Sequence, residues 1–503
     1  MSDLAAFFRL MGAFWVLVRA DAVFPRALDP YLPPGARLLA RFLRLFAGPQ
    51  GRRGRPGQRL AVVLERLGPA AIKLGQLLST RADIFGQTFA DDLARLKDQL
   101  EPFALEIALG EVAKSLGKPV SDMFSEFGPP VAAASLAQAH PARLLDGRKV
   151  AVKILRPGVE HRIRADIRAM TLLARWAERM GPEARRLEPR ALVATVARSL
   201  ELELDLRLEA AGASELGEVM ARDPYMRAPQ VIWEGVGKRV LTLAWAEGMA
   251  LSDLAALDQP DMDRPALATN LIRAFLAQAL DHGVFHADLH EGNLFVASPD
   301  RLVAVDYGII GRLGPAERRY LAEILWGLLE RDYHRVALVH FQAGYVPTHH
   351  SVDAFAQAIR AVGEPIFGHN AEAVSMGRIL GQLFEITALF DMRLRPELVL
   401  LQKTMVTVEG VARRIDHQHD IWAAAEPVVR RWITRELAPP ARIHKLAQDA
   451  LSILEGLARH AKAPVEPSAV VVETQSTASR LLWFAVGAAV AGAAFMIAAL
   501  VVR

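Results

Sequence analysis

Two carboxylates and one amide, spaced as Asp288, Asn293 and Asp306, constrain this chain more than any other feature. They stand in Phe285-His286-Ala287-Asp288-Leu289-His290-Glu291-Gly292-Asn293 and in Ala304-Val305-Asp306-Tyr307-Gly308. The stretch between them, Leu294–Val305, has a strand pattern, so a short hairpin can bring the three side chains together. Asp288 is then placed to orient or deprotonate a nucleophile. Asn293 and Asp306 offer hard oxygens to Mg²⁺ bridging nucleotide phosphates. Asp-x-x-x-x-Asn is common by chance; with Asp-Tyr-Gly behind it, the set signals phosphoryl transfer. His286 and His290 invite a zinc reading. The chain has no cysteine and no H-E-x-x-H helix, so structural loop histidines are the better reading.

Upstream, Val131–Leu155 reads as two β runs around Asp146-Gly147, a dipeptide suited to a tight hairpin turn. In the second run Val150, Val152 and Ile154 share one face, so Ala151 and Lys153 project from the other. A strand lysine is usually a solvated edge. In Val150-Ala151-Val152-Lys153, ahead of the Asp/Asn/Asp set, it matches the lysine that grips α- and β-phosphates. Its carboxylate partner is expected from the helical stretch Pro189–Met220, which carries Glu201, Glu203, Asp205 and Glu209. Asp205 and Glu209 are four apart and share a face. Glu209 is favoured for the pair and Glu203 is the next candidate.

Around this centre the periodicity outlines the rest. Gln58–Leu116 is helical, with Ser121 a candidate cap, and Gly158–Met180 is a long helix. Pro229–Glu234 and Arg239–Trp245 return to strand, and the chain beyond Pro265 is mostly helical apart from Leu294–Val305. A length of 503 residues, 52% of them hydrophobic, implies two to four domains and excludes disorder along the whole chain. The absence of cysteine removes disulfides, iron–sulfur clusters and thiolate zinc sites. A net charge of only +4 names no nucleic-acid partner.

A mean hydropathy of +0.18 directs attention to lipid-facing segments. Leu481–Val502 is uncharged between Arg480 and Arg503. As a helix it would span roughly 33 Å, enough for a hydrocarbon core. Arg459, Lys462 and Arg480 precede it, so the positive-inside bias keeps the catalytic lobes cytoplasmic. Leu4–Val18 is too short to span and carries Arg9; a signal peptide ending near Ala22 is disfavoured because no basic n-region precedes it. From Tyr31 to Leu64 there is no acid, and Arg37, Arg41 and Arg44 recur on one helical face. That face suits an anionic bilayer or an ordinary solvated surface about equally.

Taken together, these motifs resemble the UbiB/ADCK family of atypical kinase-like proteins, over roughly residues 60–430. The family's K-x-G-Q stands as Lys73-Leu74-Gly75-Gln76, its E-x-D as Glu203-Leu204-Asp205 and its E-A-A as Glu209-Ala210-Ala211. Its alanine-rich loop stands as Ala132-Ala133-Ala134-Ser135-Leu136-Ala137-Gln138. The resemblance implies an α+β, protein-kinase-like two-lobed fold with an N-terminal helical extension and, as in bacterial ubiquinone-biosynthesis members, a hydrophobic C-terminal tail, here a transmembrane helix. It implies ATP or ADP and Mg²⁺ as ligands. Asp288, Lys153, Glu209, Glu203, Asp205, Lys73 and Gln76 would be the catalytic set, Ala132 to Gln138 the nucleotide cover, and Lys73 would lie across the nucleotide cleft. Leu289 and Glu291 depart from common prolines, Ala137 from the glycine that the loop usually keeps, and Ala244, before Trp245, from a hinge acid.

The expected segments are a basic and apolar membrane-proximal stretch (1–60), a helical extension (61–130) and an N-lobe with a helical insert (131–250). A helical C-lobe (251–430), a linker (431–479) and the anchor (480–503) follow. The expected activity is that of a membrane-anchored, Mg-ATP-dependent atypical kinase or ATPase promoting ubiquinone biosynthesis at the bacterial inner membrane. Peptide substrates are disfavoured, since only seven residues separate Gly308 from Ala316 and no A-P-E follows. Membrane lipids, polyprenyl-phenol precursors and other ubiquinone-biosynthesis proteins are the expected partners, with oligomeric state open. A small-molecule kinase of the aminoglycoside or choline type and a nucleotide-binding scaffold are the competing readings; nothing supports oxygenase chemistry.

Overall fold

The computed structural model describes residues 12, 15–21, 38, 41–48, 54–79, 86–94, 96, 101–179, 188–368, 386, 389–392 and 396–437. The chain divides into Met1–Glu436 and Leu437–Arg503. The expected span at 481–502 and Arg37 lie outside the described residues, among which no helix is long and apolar enough to cross a membrane.

Three helices lead: α1 (Pro56–Leu67), α2 (Pro69–Ser79) and α3 (Gln87–Ala94). Leu60, Val63 and Leu64 of α1 meet Ala71, Phe89, Leu93 and Leu96 in one core. Gly75 of the K-x-G-Q run sits where a Cβ would meet the terminal methyls of Leu64 and Leu96, so a larger residue would push those leucines aside. Before these helices one arginine of the basic face is drawn inward. Arg44 turns back to Asp21 at 3.7 Å, which Arg59 also holds at 2.9 Å. The exposed side instead presents Leu38, Phe42, Leu45 and Phe46 beside Arg41. A carboxylate nearby in space, though far in sequence, claims Arg44 and Arg59, while Arg41 stays exposed.

After α4 (Leu105–Leu116) comes an antiparallel sheet. Its strands are β1 (Phe124–Phe127), β2 (Ala132–Ala133), β3 (Ala137–Leu144), β4 (Lys149–Leu155) and, later, β5 (Val240–Ala244). The path is β1-β3-β4-β5, with β2 on β3. Gly147, at φ +88°, closes the β3–β4 turn. Val150, Val152 and Ile154 are fully buried against Ala108, Val112, Phe124 and Val240. Strand alternation therefore turns Lys149, Ala151 and Lys153 to the opposite face. Ser121 caps nothing; it lies within a 3₁₀ turn, Val120–Asp122.

Helix α5 (Val159–Arg179) follows, then two helices where one was expected: α6 (Pro189–Glu203) and α7 (Leu206–Met220). Asp205 causes the break. Its side chain accepts the Arg207 N–H and caps α7, an arrangement in which its own backbone is extended. Asp205 and Glu209 thus do not share a helical face. Pro229–Glu234 is not a strand either: Val231 makes one isolated bridge to Leu243, and Trp233–Gly235 is a 3₁₀ turn.

The second lobe is built on α8 (Arg264–Ala277), which runs into a π turn at Gln278–His282. Strand β6 (Met249–Ala250) pairs with β8 (Leu294–Ala297), which pairs with β9 (Arg301–Ala304). Strand β7 (Val284–His286) pairs with β10 (Ile310–Arg312), His286 opposite Ile310. Helices α9 (Pro315–Leu329), α10 (Tyr333–Gln342), α11 (Val352–Gly368), α12 (Pro396–Ile415) and α13 (Ile421–Leu437) complete it. Helix α12 packs along α8.

Candidate active site

Lys153 lies between two carboxylates. Its Nζ is 2.7 Å from Glu209 Oε1 and 3.1 Å from Asp306 Oδ1. Strand β4 aims the lysine away from its own core, and the first turn of α7 supplies Glu209. At Gly212 of α7 a Cβ would meet the end of the Ile310 side chain of β10, so α7 sits close against β10 there. Burial pulls the Lys153 ammonium down, but Asp306 and Glu209 together hold it well above the ordinary lysine range. Burial also pushes the Glu209 carboxyl up to about 6 against the pull of Lys153, helped by the charges of Asp306 and Glu203. The Lys153 charge is the main reason that Asp306 drops to about 2. Asp306 sits at φ +62°, a sparsely populated conformation that Asp adopts more readily than most residues. That turn aims its half-exposed carboxylate at the lysine.

Below the cleft, His286 organises the loop bearing Asp288. The imidazole is fully buried; Nε2 donates to the Val305 carbonyl at 3.1 Å, and Nδ1 accepts the Asp288 N–H at 3.1 Å. Burial lowers its pKa, and the two partners fix the neutral Nε2–H tautomer. Asn293 donates Nδ2–H to the Asp288 carbonyl at 3.0 Å, and its own carbonyl accepts the Val305 N–H at 2.9 Å. With its amide nitrogen so committed, buried Asn293 has Oδ1 left as a ligand atom, and its backbone pairing with Val305 places it one residue from Asp306 in the ladder. An amide oxygen just before and a carboxylate just after one hairpin fit a hard divalent cation such as Mg²⁺. His290 is half-exposed, 3.6 Å from Asp288, and its Nδ1 accepts the Gly292 N–H. Among the described residues the one trio spaced for metal ligation is His349, His350 and Asp391, none of them in this cleft.

The alanine-rich segment forms a tight β2–β3 hairpin, closed by Ala134 N–H on the Ala137 carbonyl at 2.8 Å. Ala132 and Ala133 form β2, while Ser135, Leu136 and Ala137 are buried. Gln138 departs from the expected nucleotide contact. Its side chain faces the lobe core, accepts the Phe103 N–H at 2.9 Å, donates to the Phe103 carbonyl at 3.1 Å and meets His140 at 2.8 Å. Strand parity is the cause: Gln138 and His140 alternate inward, leaving Ala139, opposite Lys153 in the β3–β4 register, on the cleft face. Arg156 was not among the sequence candidates. It bonds the Ala134 carbonyl at 2.8 Å and the Glu101 carbonyl at 2.9 Å, tying the hairpin to the chain before α4.

Lys73 of α2 pairs with Glu203 at the end of α6. The structure therefore gives Glu203 to Lys73 and not to Lys153, while Asp205 pairs with Arg207 at 2.6 Å. Gln76 is half-buried one turn beyond Lys73. On the lysine-bearing face of the sheet, a cavity of about 310 Å³ is lined by Gly128, Pro141, Arg143, Lys149 and Trp245.

The ABC1 atypical kinase-like domain matches residues 95–340, and the UbiB helical domain matches residues 359–420. A relative from Marinobacter nauticus named "Probable protein kinase UbiB" is 39% identical over 455 residues, 89% of this chain and 82% of the relative. One of the same name from Pseudomonas fluorescens is 38% identical over 427 residues, 82% and 80% of the two chains. A solved complex of Rv3197 with erythromycin, from Mycobacterium tuberculosis, aligns over 78% of this chain and 98% of that one. Its TM-score is 0.52 and its identity 23%, a likeness of fold alone.

Proposed function

Because the chain belongs to the UbiB family, with an ABC1 atypical kinase-like domain and a kinase-type fold, we propose that it uses Mg-ATP at the Lys153–Glu209–Asp306 centre in support of ubiquinone biosynthesis. The observation that carries this reading is the placement of Lys153 between two carboxylates of opposite pKa tendency. Glu209 holds the ammonium in the cleft. ATP would bring its own phosphates to Lys153, with its base toward the cavity at Trp245. Ala132 to Ala137 would cover the nucleotide. Asn293 and Asp306 would hold Mg²⁺, which supplies neutralisation of phosphate charge when bound. Asp288 is placed to orient a water or an acceptor hydroxyl. Lys73 of the K-x-G-Q helix pairs with Glu203, whose own charge adds a small upward push on the Glu209 carboxyl.

A peptide acceptor is disfavoured, since β10 and α9 directly follow Asp306-Tyr307-Gly308 and leave no long activation segment. Membrane attachment through 481–502, with the lobes on the cytoplasmic side of a bacterial inner membrane, belongs to the same proposal. So do polyprenyl-phenol precursors and other ubiquinone-biosynthesis proteins as partners. The test is ATP turnover by the full chain with and without anionic liposomes and a polyprenyl phenol. Mg²⁺-dependent turnover stimulated by the lipid supports the reading. Nucleotide binding without turnover under every condition would favour a scaffold instead.

A further inference from the structure

The loop that carries Asp288 and Asn293 is gripped at two points by one helix from much later in the chain. The buried hydroxyl of Thr404 in α12 lies 3.0 Å from the Ala287 carbonyl, immediately before Asp288, and shares its proton with the Leu400 carbonyl at 2.8 Å. Ten residues along the same helix, the Arg414 guanidinium pairs with Glu291, between Asp288 and Asn293. Ten residues are about 15 Å of helix, so α12 runs beside the loop and does not merely touch it at one point. The same face is anchored firmly, with Thr404 inside its buried stripe. Leu401, Val408, Val411, Ala412 and Ile415 are buried at helical spacing, and α12 packs along α8.

We infer that α12 is the positioning element of the catalytic loop, with Thr404 and Arg414 setting where Asp288 and Asn293 stand. Neither residue belongs to the Lys153–Glu209–Asp306 centre. Thr404 and Arg414 lie in the segment matched by the UbiB helical domain, and the loop lies in the segment matched by the ABC1 domain. The contact is therefore a mechanical link between the two domains: a shift of α12 displaces the backbone on both sides of Asp288. Ordinary packing would need no pairing of Glu291, which a half-exposed site could leave to water. The guanidinium instead ties the loop at the residue two before Asn293. The link deepens the ATP-using reading and rests on it.

The test uses the full chain with Thr404→Val, Thr404→Ser, Arg414→Gln, Glu291→Gln and the exchanged pair Glu291→Arg with Arg414→Glu. Mg-ATP kinetics and amide hydrogen exchange over residues 287–293 are measured together. Thr404→Val and Arg414→Gln lower kcat about tenfold or more, as displacement of a reacting group does, with KM for ATP within about twofold. Exchange at 287–293 speeds up in both. Thr404→Ser and the exchanged pair restore most of kcat. Unchanged kcat in both single variants, or equal loss of kcat and folded fraction with no rescue, overturns the inference. If the wild type turns over no ATP, the functional reading falls; the link is then decided by exchange alone, and unaltered exchange at 287–293 overturns it.

Discussion

Glu209→Gln separates stability from activity with a sign that follows from the site. The Glu209 carboxyl is held up to about 6 in the fold against 4.5 in the free side chain. Between those values the folded state binds more protons than the unfolded one, so stability falls as pH rises through the window and stays low above it. A shift of about 1.5 units is worth about 2 kcal/mol. Glutamine mimics the protonated acid and escapes that cost, while Lys153 keeps Asp306 at 3.1 Å as its counter-charge. The variant is therefore about 2 kcal/mol more stable than the wild type at pH 7.5, and about 1 kcal/mol at pH 5. Thermal unfolding of the 436-residue unit registers the first as a gain of about 2 °C. Mg-ATP turnover moves the other way, by roughly 10- to 100-fold, because a charged hydrogen bond holding Lys153 is lost. Destabilisation at pH 7.5, or a gain that does not shrink on acidification, would refute the electrostatic account of the centre.

Three further outcomes follow from other contacts. Lys73→Ala and Glu203→Gln each cost about 1–3 kcal/mol, and the double variant costs less than their sum, as a double-mutant cycle on unfolding will register if the two pair only with each other. Gln138→Ala leaves both polar groups of the Phe103 backbone without a partner and costs about 1–3 kcal/mol, while ATP affinity measured by calorimetry stays within about threefold. With 481–502 as the proposed anchor, deleting residues 480–503 changes extraction of the chain from detergent-dependent to salt-dependent, and Arg41→Glu in the shortened chain weakens binding to anionic vesicles about fivefold at low salt; extraction that remains detergent-dependent would count against the tail as the anchor.

Local chemistry makes the centre of the fold readable in the sequence. Asp146-Gly147 marks its hairpin, and the valine alternation beside it turns Lys153 outward, because both depend on residues within a few positions. The Asp288, Asn293 and Asp306 spacing is legible for the same reason, one short hairpin separating its members. What escapes the sequence depends on partners far away in the chain. Glu203 and Glu209 look alike until Asp205 breaks the helix and hands one to Lys73 and the other to Lys153. Gln138 and His140 lie in the first expected β run, but their inward direction escapes the sequence, since distant Phe103 and nearby Gly128 are what satisfy their polar groups. Three-residue strands such as β7 and β10 are too short to carry a period. The Thr404 hydroxyl reaches a carbonyl 117 residues earlier, and no local pattern announces it.

The central claim is that Asn293 and Asp306 hold Mg²⁺ on a nucleotide gripped by Lys153. Titration calorimetry of ATP into the full chain, with Mg²⁺ and with chelator, in wild type and Asp306→Asn, tests it most directly. The account predicts tight binding by the wild type only with Mg²⁺, and loss of that metal dependence in Asp306→Asn. Equal, metal-independent affinity in both proteins would contradict it.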